Sequence, residues 1–349
     1  MKIIGLLTAW ACEDWIELSI KQALELVDEL IIAIGAFDDY FKKIEDKTLQ
    51  RAKKYFDNDK IKVIETTNNP SFSKSENKCA TLNHMIQVSD HIQKGNILWI
   101  LDSDEFYSED SVKEIMDFIK INDFDEIRVH DRFFCINLNY YLDTIHGRIL
   151  KIKASNPYFT PTQKIHPRPK KVVTLLKKNP MFHYSLLTGE QIKGLLWMSD
   201  NFIHKFYWYR KIYLKYDPNK EQYWMEKNRK ITGHYGFWFD SYAFKEKNNH
   251  GLFKYNGQHP TIIENSPLKE ISDFRIYMKK KPNYEIYRQT MIEIIEKKRT
   301  EERIRNLFEI IKNTKVYQKI ITKLKSLLKE IPITKKIFRN YTRQLYNYL

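Results

Sequence analysis

Two acidic residues separated by one position follow an apolar segment of the chain. Asp102 and Asp104 form the pair, Glu105 comes next, and residues 97–101 before them are all apolar. Hard divalent cations such as Mg²⁺ and Mn²⁺ prefer oxygen ligands, and two carboxylates so close in sequence can share one cation. Such a cation stabilises charge that grows on a departing phosphate group. The pattern predicts a metal site, although acidic pairs also begin many helices.

The segments around this motif alternate between strand-like and helix-like patterns. Runs of strand length lie at residues 3–7, 30–34, 60–66, 97–101 and 126–134. Apolar residues at helical spacing lie between most of these runs, and Ser73 to Glu76 has the form of a capping box that begins a helix. This alternation predicts an α/β fold with a mostly parallel sheet flanked by helices. Ligands of such sheets bind at the carboxyl ends of the strands, where the acidic motif lies.

Residues 99–106, which read WILDSDEF, resemble the D-x-D region of family 2 and related GT-A glycosyltransferases. Other segments resemble parts of that family in the expected order: residues 6–15 its opening strand and turn, 27–32 its second strand, 75–82 the helix before the metal motif, and 148–149, 182–185 and 255–260 downstream signatures. The resemblance covers about residues 1–260. It implies a Rossmann-like GT-A domain over residues 1–260, with a nucleotide-sugar and metal half at 1–135 and an acceptor half at 136–260.

The resemblance also implies the reaction and a metal site. The reaction would be inverting transfer of a sugar from a nucleoside diphosphate donor to a glycan or lipid-linked acceptor, with Mn²⁺ or Mg²⁺ as cofactor. We expect Asp104 to contact the metal directly and Asp102 to reach it through water or to hold the donor's ribose. Family members often add a histidine from the second half of the domain, which favours His183 over His259. Glu105 would orient the motif or join the metal ligands.

The nucleotide-sugar site is expected to include residues from the first strands and the helix before the motif. They are Thr8, Ala9, Glu13, Asp38, Asp39, Lys78 and Asp102. Asp38 and Asp39 are chosen because Gly35 and its neighbours occupy the place where the family often has an acid. Both are also common turn residues, and Lys78 could equally be an exposed helix lysine. Asp131, Glu190 and Asp240 are candidates for the base that deprotonates the acceptor, and the sequence does not rank them.

The end of the chain is unusually basic. Residues 261–349 are predicted to form a helical extension, and within it residues 310–349 hold ten lysines and arginines against one acid, in a chain whose net charge is +15. Apolar residues there recur at helical spacing, as in helices that lie on anionic membranes. The alternative is a helix packed against the protein. Because the charge is concentrated here, no nucleic-acid partner is expected.

Composition limits the protein class and its location. The chain of 349 residues is 42% hydrophobic and 30% charged, which is typical of a globular protein. No segment approaches the roughly 20 apolar residues of a transmembrane helix. Cys12, Cys79 and Cys135 lie far apart, which argues against a disulfide framework and favours a reducing compartment. The expected location is the cytoplasm, with peripheral attachment to the inner face of the membrane.

Two other functions fit parts of the sequence. A sugar-nucleotide nucleotidyltransferase can share the sheet and the metal carboxylates, but it needs a glycine-rich loop after the first strand. Residues 8–13 there contain no glycine. A non-catalytic protein that binds membranes or nucleic acids would instead spread its basic residues over the fold and would not depend on a metal.

Overall fold

The first half of the fold is a four-stranded parallel sheet. A computed structural model describes residues 1–37, 46–69, 71–135, 137–161, 164–175, 178, 180–187, 217, 220, 253–286, 289–290, 292–293, 296 and 300. Strands β1 (Ile3–Ala9), β2 (Glu29–Ile34), β3 (Ile61–Glu65) and β4 (Ile97–Asp102) lie in the order β3-β2-β1-β4, and all of their pairings are parallel. The inner strands are β-branched and leucine-rich runs buried on both faces, as parallel strands usually are.

Helices cover both faces of this parallel sheet. They are α1 (Ile16–Leu26), α2 (Thr48–Ala52) with a short 3-10 turn (Lys53–Tyr55), α3 (Lys74–Val88) and α4 (Glu109–Ile121). Helices α1 and α4 share one core with Trp99, whereas α3 packs through Met85 into a separate core with Leu6 and Leu98. The two cores lie on opposite faces because neighbouring strand residues alternate in direction. The predicted α/β fold with flanking helices is confirmed.

Two serines define where α3 and α4 begin. Ser73 accepts a hydrogen bond from the amide of Glu76, whose carboxylate in turn accepts one from the amide of Ser73, so the predicted capping box is present. Ser108 accepts from the amide of Ser111 at the start of α4. Both helices therefore begin where side-chain oxygens satisfy the exposed amides of their first turns. These caps fix the positions of the helices on either side of the acidic motif.

The second half extends the same sheet with antiparallel and mixed pairings. Its strands are β5 (Glu105–Tyr107), β6 (Glu126–Cys135), β7 (Tyr140–Lys151), β10 (Val172–Thr174), β11 (Met181–Leu186) and β12 (Phe253–Lys254), and β8 (Tyr158–Phe159) pairs with β9 (Ile165–His166) in a separate ribbon. Strand β7 joins the halves by pairing antiparallel with both β4 and β6. Strand β11 then runs parallel to β6 and antiparallel to β5. The acidic motif is thereby held between β4 and β11.

The chain divides into two compact units, residues 1–290 and 291–349. The first also contains α5 (Thr261–Glu264), a 3-10 turn (Pro267–Glu270) and α6 (Phe274–Lys279), which contribute Ile263, Leu268 and Phe274 to the core around Trp15. The boundaries predicted from the sequence stay predictions, and the basic segment 310–349 lies outside the described residues. Among the residues that the structure describes, no helix combines the length and apolarity needed to cross a bilayer.

Candidate active site

The carboxyl ends of β1 and β4 bring Thr8 and Asp102 together. The two residues are register partners in the parallel pairing of these strands. The Thr8 hydroxyl donates a hydrogen bond of 2.9 Å to Oδ1 of Asp102. This edge is where parallel sheets bind their ligands, and two of the predicted site residues meet there because of strand order alone.

Asp102 also binds two cationic side chains. Nζ of Lys78, on α3, lies 3.0 Å from Oδ1, and Nη2 of Arg148, on β7, lies 3.1 Å from Oδ2. Burial alone would raise the pKa of Asp102, but the charges of Lys78 and Arg148 hold that pKa well below its usual range. Asp102 is therefore ionised throughout the physiological range. The side chains of Lys78 and Arg148 are only 12% and 11% exposed, so these two positive charges are held in place beside the motif.

Glu105 is held against the same arginine. Its side chain is completely buried on β5, and its Oε1 oxygen forms a short ion pair with Nη2 of Arg148. Its other oxygen accepts a hydrogen bond of 3.4 Å from the amide of Asp102. Arg148 thus bridges Glu105 and Asp102 and fixes the geometry of the turn between β4 and β5. These contacts favour an orienting role for Glu105 over a place among the metal ligands.

Asp104 and His183, both expected as metal ligands, lie close together. Strand β11 pairs with β5, and the amide of Tyr184 donates to the carbonyl oxygen of Asp104 at 2.9 Å. This pairing brings Nε2 of His183 to 3.4 Å from Oδ2 of Asp104. Burial would lower the pKa of His183, but the negative charges of Asp104 and Asp131 raise it to about 10. The free protein therefore holds an imidazolium between two carboxylates.

Asp131 lies on the other side of His183, on strand β6 between β7 and β11. Its side chain is completely buried, and its Oδ2 oxygen lies 3.2 Å from Nδ1 of His183 and 2.8 Å from Nδ1 of His146 on β7. Burial would raise the pKa of Asp131, but the positive charge of His183 lowers it. The Oδ1 oxygen of Asp131 has no hydrogen-bond partner among the described residues. Such deep burial between two imidazoles counts against Asp131 as the base that deprotonates an acceptor.

The donor set fits a divalent transition metal. A carboxylate oxygen of Asp104 and an imidazole nitrogen of His183 face one another at a distance that a metal ion could bridge. Carboxylates suit Mg²⁺ and Mn²⁺, whereas imidazole suits first-row transition metals, so the mixed pair fits Mn²⁺ better than Mg²⁺. Asp102, also predicted as a ligand, has both oxygens engaged by Thr8, Lys78 and Arg148. Asp102 is therefore better suited to act indirectly, by reaching the metal through a water molecule or by holding the donor.

The remaining predicted residues make other contacts or fall outside the described residues. The carbonyl oxygen of Ala9 accepts from the amide of Gly35, which keeps the ends of β1 and β2 together. Glu13 pairs instead with Lys281 at 2.6 Å. Asp38, Asp39, Glu190 and Asp240 fall outside the described residues.

The sequence assigned no site role to His146 or to Arg148, although residues 148–149 resemble a signature of the family. Both lie on β7, where polar side chains interrupt the apolar pattern of residues 145–152. A charged residue within an apolar strand is the signal that the sequence offers for such a role, because buried charges are rarely found without a partner of opposite charge. Their partners, Glu105 and Asp131, are distant in sequence, so the pattern alone could not identify the pairs.

The second candidate histidine, His259, has a different environment. Its Nδ1 lies 2.8 Å from the Tyr184 hydroxyl and its Nε2 lies 3.1 Å from the Leu138 carbonyl oxygen. Burial lowers its pKa to about 4. These contacts are those of a neutral histidine packed in an aromatic core, so His183 remains the candidate ligand.

A pH dependence follows from the depressed pKa of His259. Between pH 6.5 and about 4 the unfolded chain binds a proton at this residue and the folded chain does not. The stability that the neutral His259 contributes is therefore complete above pH 6.5 and is lost as the pH falls toward 4. We expect the variant His259→Gln to lose less stability than the wild type over this window, measured by urea denaturation at a series of pH values. Equal losses in both proteins would contradict this assignment.

Comparisons with known proteins give distant structural similarities only. No family model matches the sequence, and no curated protein matches it. The structure is similar to S. aureus TarS at 13% identity and a TM-score of 0.36, over 67% of this chain and 81% of that one. It is also similar to the mannosyltransferase PcManGT from Pyrobaculum calidifontis, in complex with GDP-Man and Mn²⁺, at 8% identity and a TM-score of 0.36, over 92% and 83% of the two chains.

A cytidylyltransferase is similar at a lower score. It is the 2-C-methyl-D-erythritol 4-phosphate cytidylyltransferase (IspD) of Francisella tularensis, with 10% identity and a TM-score of 0.24, over 68% of this chain and 88% of that one. With identities below 25% and TM-scores below 0.5, none of these similarities assigns an activity to this chain. The function proposed below rests on the residues of the site.

Proposed function

We propose that this protein is a glycosyltransferase that moves a sugar from a nucleoside diphosphate donor to a hydroxyl acceptor, with Mn²⁺ or Mg²⁺ as its cofactor. One observation carries the proposal: the two acids of the D-x-D motif face different partners. Asp102 lies with the fixed cations Lys78 and Arg148, and Asp104 lies with His183. Positive charge for a diphosphate and a pair of metal ligands are therefore adjacent at the ligand-binding edge of the sheet.

Each group has a defined part in the proposed transfer. Asp104 and His183 would hold the cation, which when bound neutralises charge on the diphosphate as it departs. Lys78 and Arg148 pair with Asp102 in the free protein, and diphosphate oxygens would compete for the same donors. Because these cations are fixed before the donor arrives, little reorganisation accompanies the growth of charge.

The chemistry needs one further group. The bond between the anomeric carbon and the diphosphate oxygen breaks, a bond to the acceptor oxygen forms, and the acceptor's proton passes to a base. The base is not assigned. The glycan or lipid-linked acceptor, inversion at the anomeric carbon, and attachment of residues 310–349 to the inner face of the membrane in the cytoplasm are proposals from the sequence.

Donor binding tests the proposal directly. Titrating the protein with UDP-, GDP- and dTDP-sugars, with and without Mn²⁺, is expected to give metal-dependent binding of one nucleotide class by calorimetry. The variant Asp104→Asn should lose this binding while remaining folded, because it removes a charged metal ligand. Asp117→Asn, which changes an exposed aspartate on α4, is the matched control and should bind like the wild type.

Two outcomes would contradict the proposal. One is a folded wild-type protein that binds no donor with either metal, or that binds it equally in Asp104→Asn. The other is release of pyrophosphate from a nucleoside triphosphate and a sugar 1-phosphate, which would identify a nucleotidyltransferase.

A further inference from the structure

We propose that Asp131 is a positioning residue that fixes the His183 imidazole so that its Nε2 atom, beside Asp104, is the metal ligand. This inference rests on the proposed function, because it assumes a cation at Asp104 and His183. It goes further by assigning a task to a buried carboxylate that the D-x-D motif does not contain.

The two ring nitrogens of His183 face different carboxylates. Nε2 lies 3.4 Å from Oδ2 of Asp104, and Nδ1 lies 3.2 Å from Oδ2 of Asp131. Glu105 also approaches Nδ1, but at 3.8 Å it is beyond hydrogen-bond distance, and its nearest oxygen is bound to Arg148. Asp131 is therefore the acceptor for the Nδ1 proton.

Asp131 is itself held in place. Its side chain has no exposed surface, and the Oδ2 oxygen that faces His183 also lies 2.8 Å from Nδ1 of His146. The three residues stand on the adjacent strands β7, β6 and β11, so the sheet sets their spacing. Phe133 packs edge-on against His183 with ring centroids 4.5 Å apart, which restricts rotation of the imidazole.

The consequence for metal binding follows from the two tautomers of histidine. When Nδ1 keeps its proton and donates it to Asp131, the Nε2 lone pair points toward Asp104 and can bind a cation. A carboxylate on the far nitrogen also makes the imidazole a more basic ligand. Partners of this kind typically change metal affinity by about 10- to 100-fold.

A competing arrangement uses the same residues in another way. Asp131, His146 and His183 offer three ligand atoms within 4.8 Å of one another, so a metal could bind among them through Nδ1 of His183. The spacing of 2.8 and 3.2 Å around a single oxygen is that of two N–H donors on one carboxylate, which favours the positioning role. The two arrangements predict different effects for Asp104 and His146.

Mn²⁺ affinity, measured by the loss of the free-ion electron paramagnetic resonance signal without any donor, separates these possibilities. We expect Asp131→Asn to weaken Mn²⁺ binding by about 10- to 100-fold. Asp143→Asn, which changes an aspartate on β7, is the matched control and should bind Mn²⁺ like the wild type. His146→Gln should weaken Mn²⁺ binding less than Asp131→Asn, because His146 is hydrogen-bonded to Asp131, whereas its contact with His183 is an edge-on ring contact with centroids 6.2 Å apart. Circular dichroism would confirm that each variant is folded.

The outcomes are distinguishable. Wild-type affinity in Asp131→Asn overturns the positioning role and leaves the proposed function intact. Complete loss of Mn²⁺ binding in His146→Gln, with unchanged Mn²⁺ affinity in Asp104→Asn, would place the metal among Asp131, His146 and His183. That result also overturns the positioning role. A wild-type protein that binds no Mn²⁺ overturns this inference, and the donor titration then decides the proposed function separately.

A measurement on the wild type covers the case in which Asp131→Asn does not fold. In protein labelled with ¹⁵N-histidine and loaded with ¹¹³Cd²⁺, coupling between cadmium and nitrogen identifies the ligating atom of His183, whose signals are assigned from the variant His183→Gln. Coupling to Nε2 with a protonated Nδ1 is the expected result. Coupling to Nδ1 overturns the proposal.

Discussion

Replacing Arg148 with methionine is expected to lower the free energy of unfolding by about 3–5 kcal/mol. Arg148 bridges Asp102 and Glu105, and the Glu105 side chain is completely buried. Removing the guanidinium leaves the buried Glu105 carboxylate without its nearest cation, with the His183 imidazole 3.8 Å away, and breaking a buried pair in this way costs far more than the pair itself contributes. Urea denaturation of the two proteins at neutral pH, followed by circular dichroism, measures the difference.

The design of this experiment separates charge from packing. The double variant Arg148→Met/Glu105→Gln removes the unpaired charge and should recover a large part of the lost stability. Arg128→Met is the matched control, because Arg128 pairs with Glu126 on the same sheet while remaining 38% exposed, and such pairs contribute about 0–1 kcal/mol. Equal effects of the two single variants, or no recovery in the double variant, would show that Arg148 stabilises the fold by packing instead.

The parallel half of the fold could be predicted because its signals are local. Buried strands such as β4 contain continuous apolar runs, here residues 97–101, and the capping box at Ser73 marks a helix start within four residues. Asp102 directly follows such a run, and ligands of parallel sheets bind at the ends of the strands, so its place in the site could be expected. The contact with Thr8 needs only the adjacency of β1 and β4.

The second half of the site depends on pairings that no local pattern encodes. Glu105 opens a three-residue strand that pairs with β11, nearly 80 residues further along the chain. Arg148 reaches the motif because β7 pairs with β4, and Asp131 meets two histidines because β6 lies between β7 and β11. The contacts between these side chains depend on long-range strand order, so the sequence around each residue does not show them.

The same strand order explains why opposite charges are so concentrated at this edge. The carboxylates of the motif are buried enough that they require cations, and Arg148 and Lys78 supply them in the free protein. In the proposed reaction, the negative charge of the diphosphate would balance the positive charges of Lys78 and Arg148. The free protein therefore keeps these two cations, which we propose bind the donor, ordered by pairing them with its own acids.

The variant Lys78→Met is expected to lower kcat/KM for the donor by about 10²- to 10³-fold, the effect of removing one preorganised electrostatic group. Lys78 lies on α3, is 12% exposed and binds Asp102 at 3.0 Å, so its charge is already beside the site that the diphosphate would occupy. Stability should change less than in the Arg148 variant, because Asp102 is 21% exposed and keeps Arg148 as a partner. Steady-state transfer assays at saturating Mn²⁺ measure the effect.

A lysine that is exposed on α4 provides the comparison for Lys78. Lys120→Met removes one positive charge from a side chain that is 64% exposed, so it reports the effect of net charge on donor affinity without touching the motif. If that variant lost as much activity as Lys78→Met, the effect would come from the overall field of a basic protein. Loss confined to Lys78→Met, with unchanged Mn²⁺ affinity, would instead assign this lysine to the diphosphate, because a defect in the metal ligands would weaken cation binding as well.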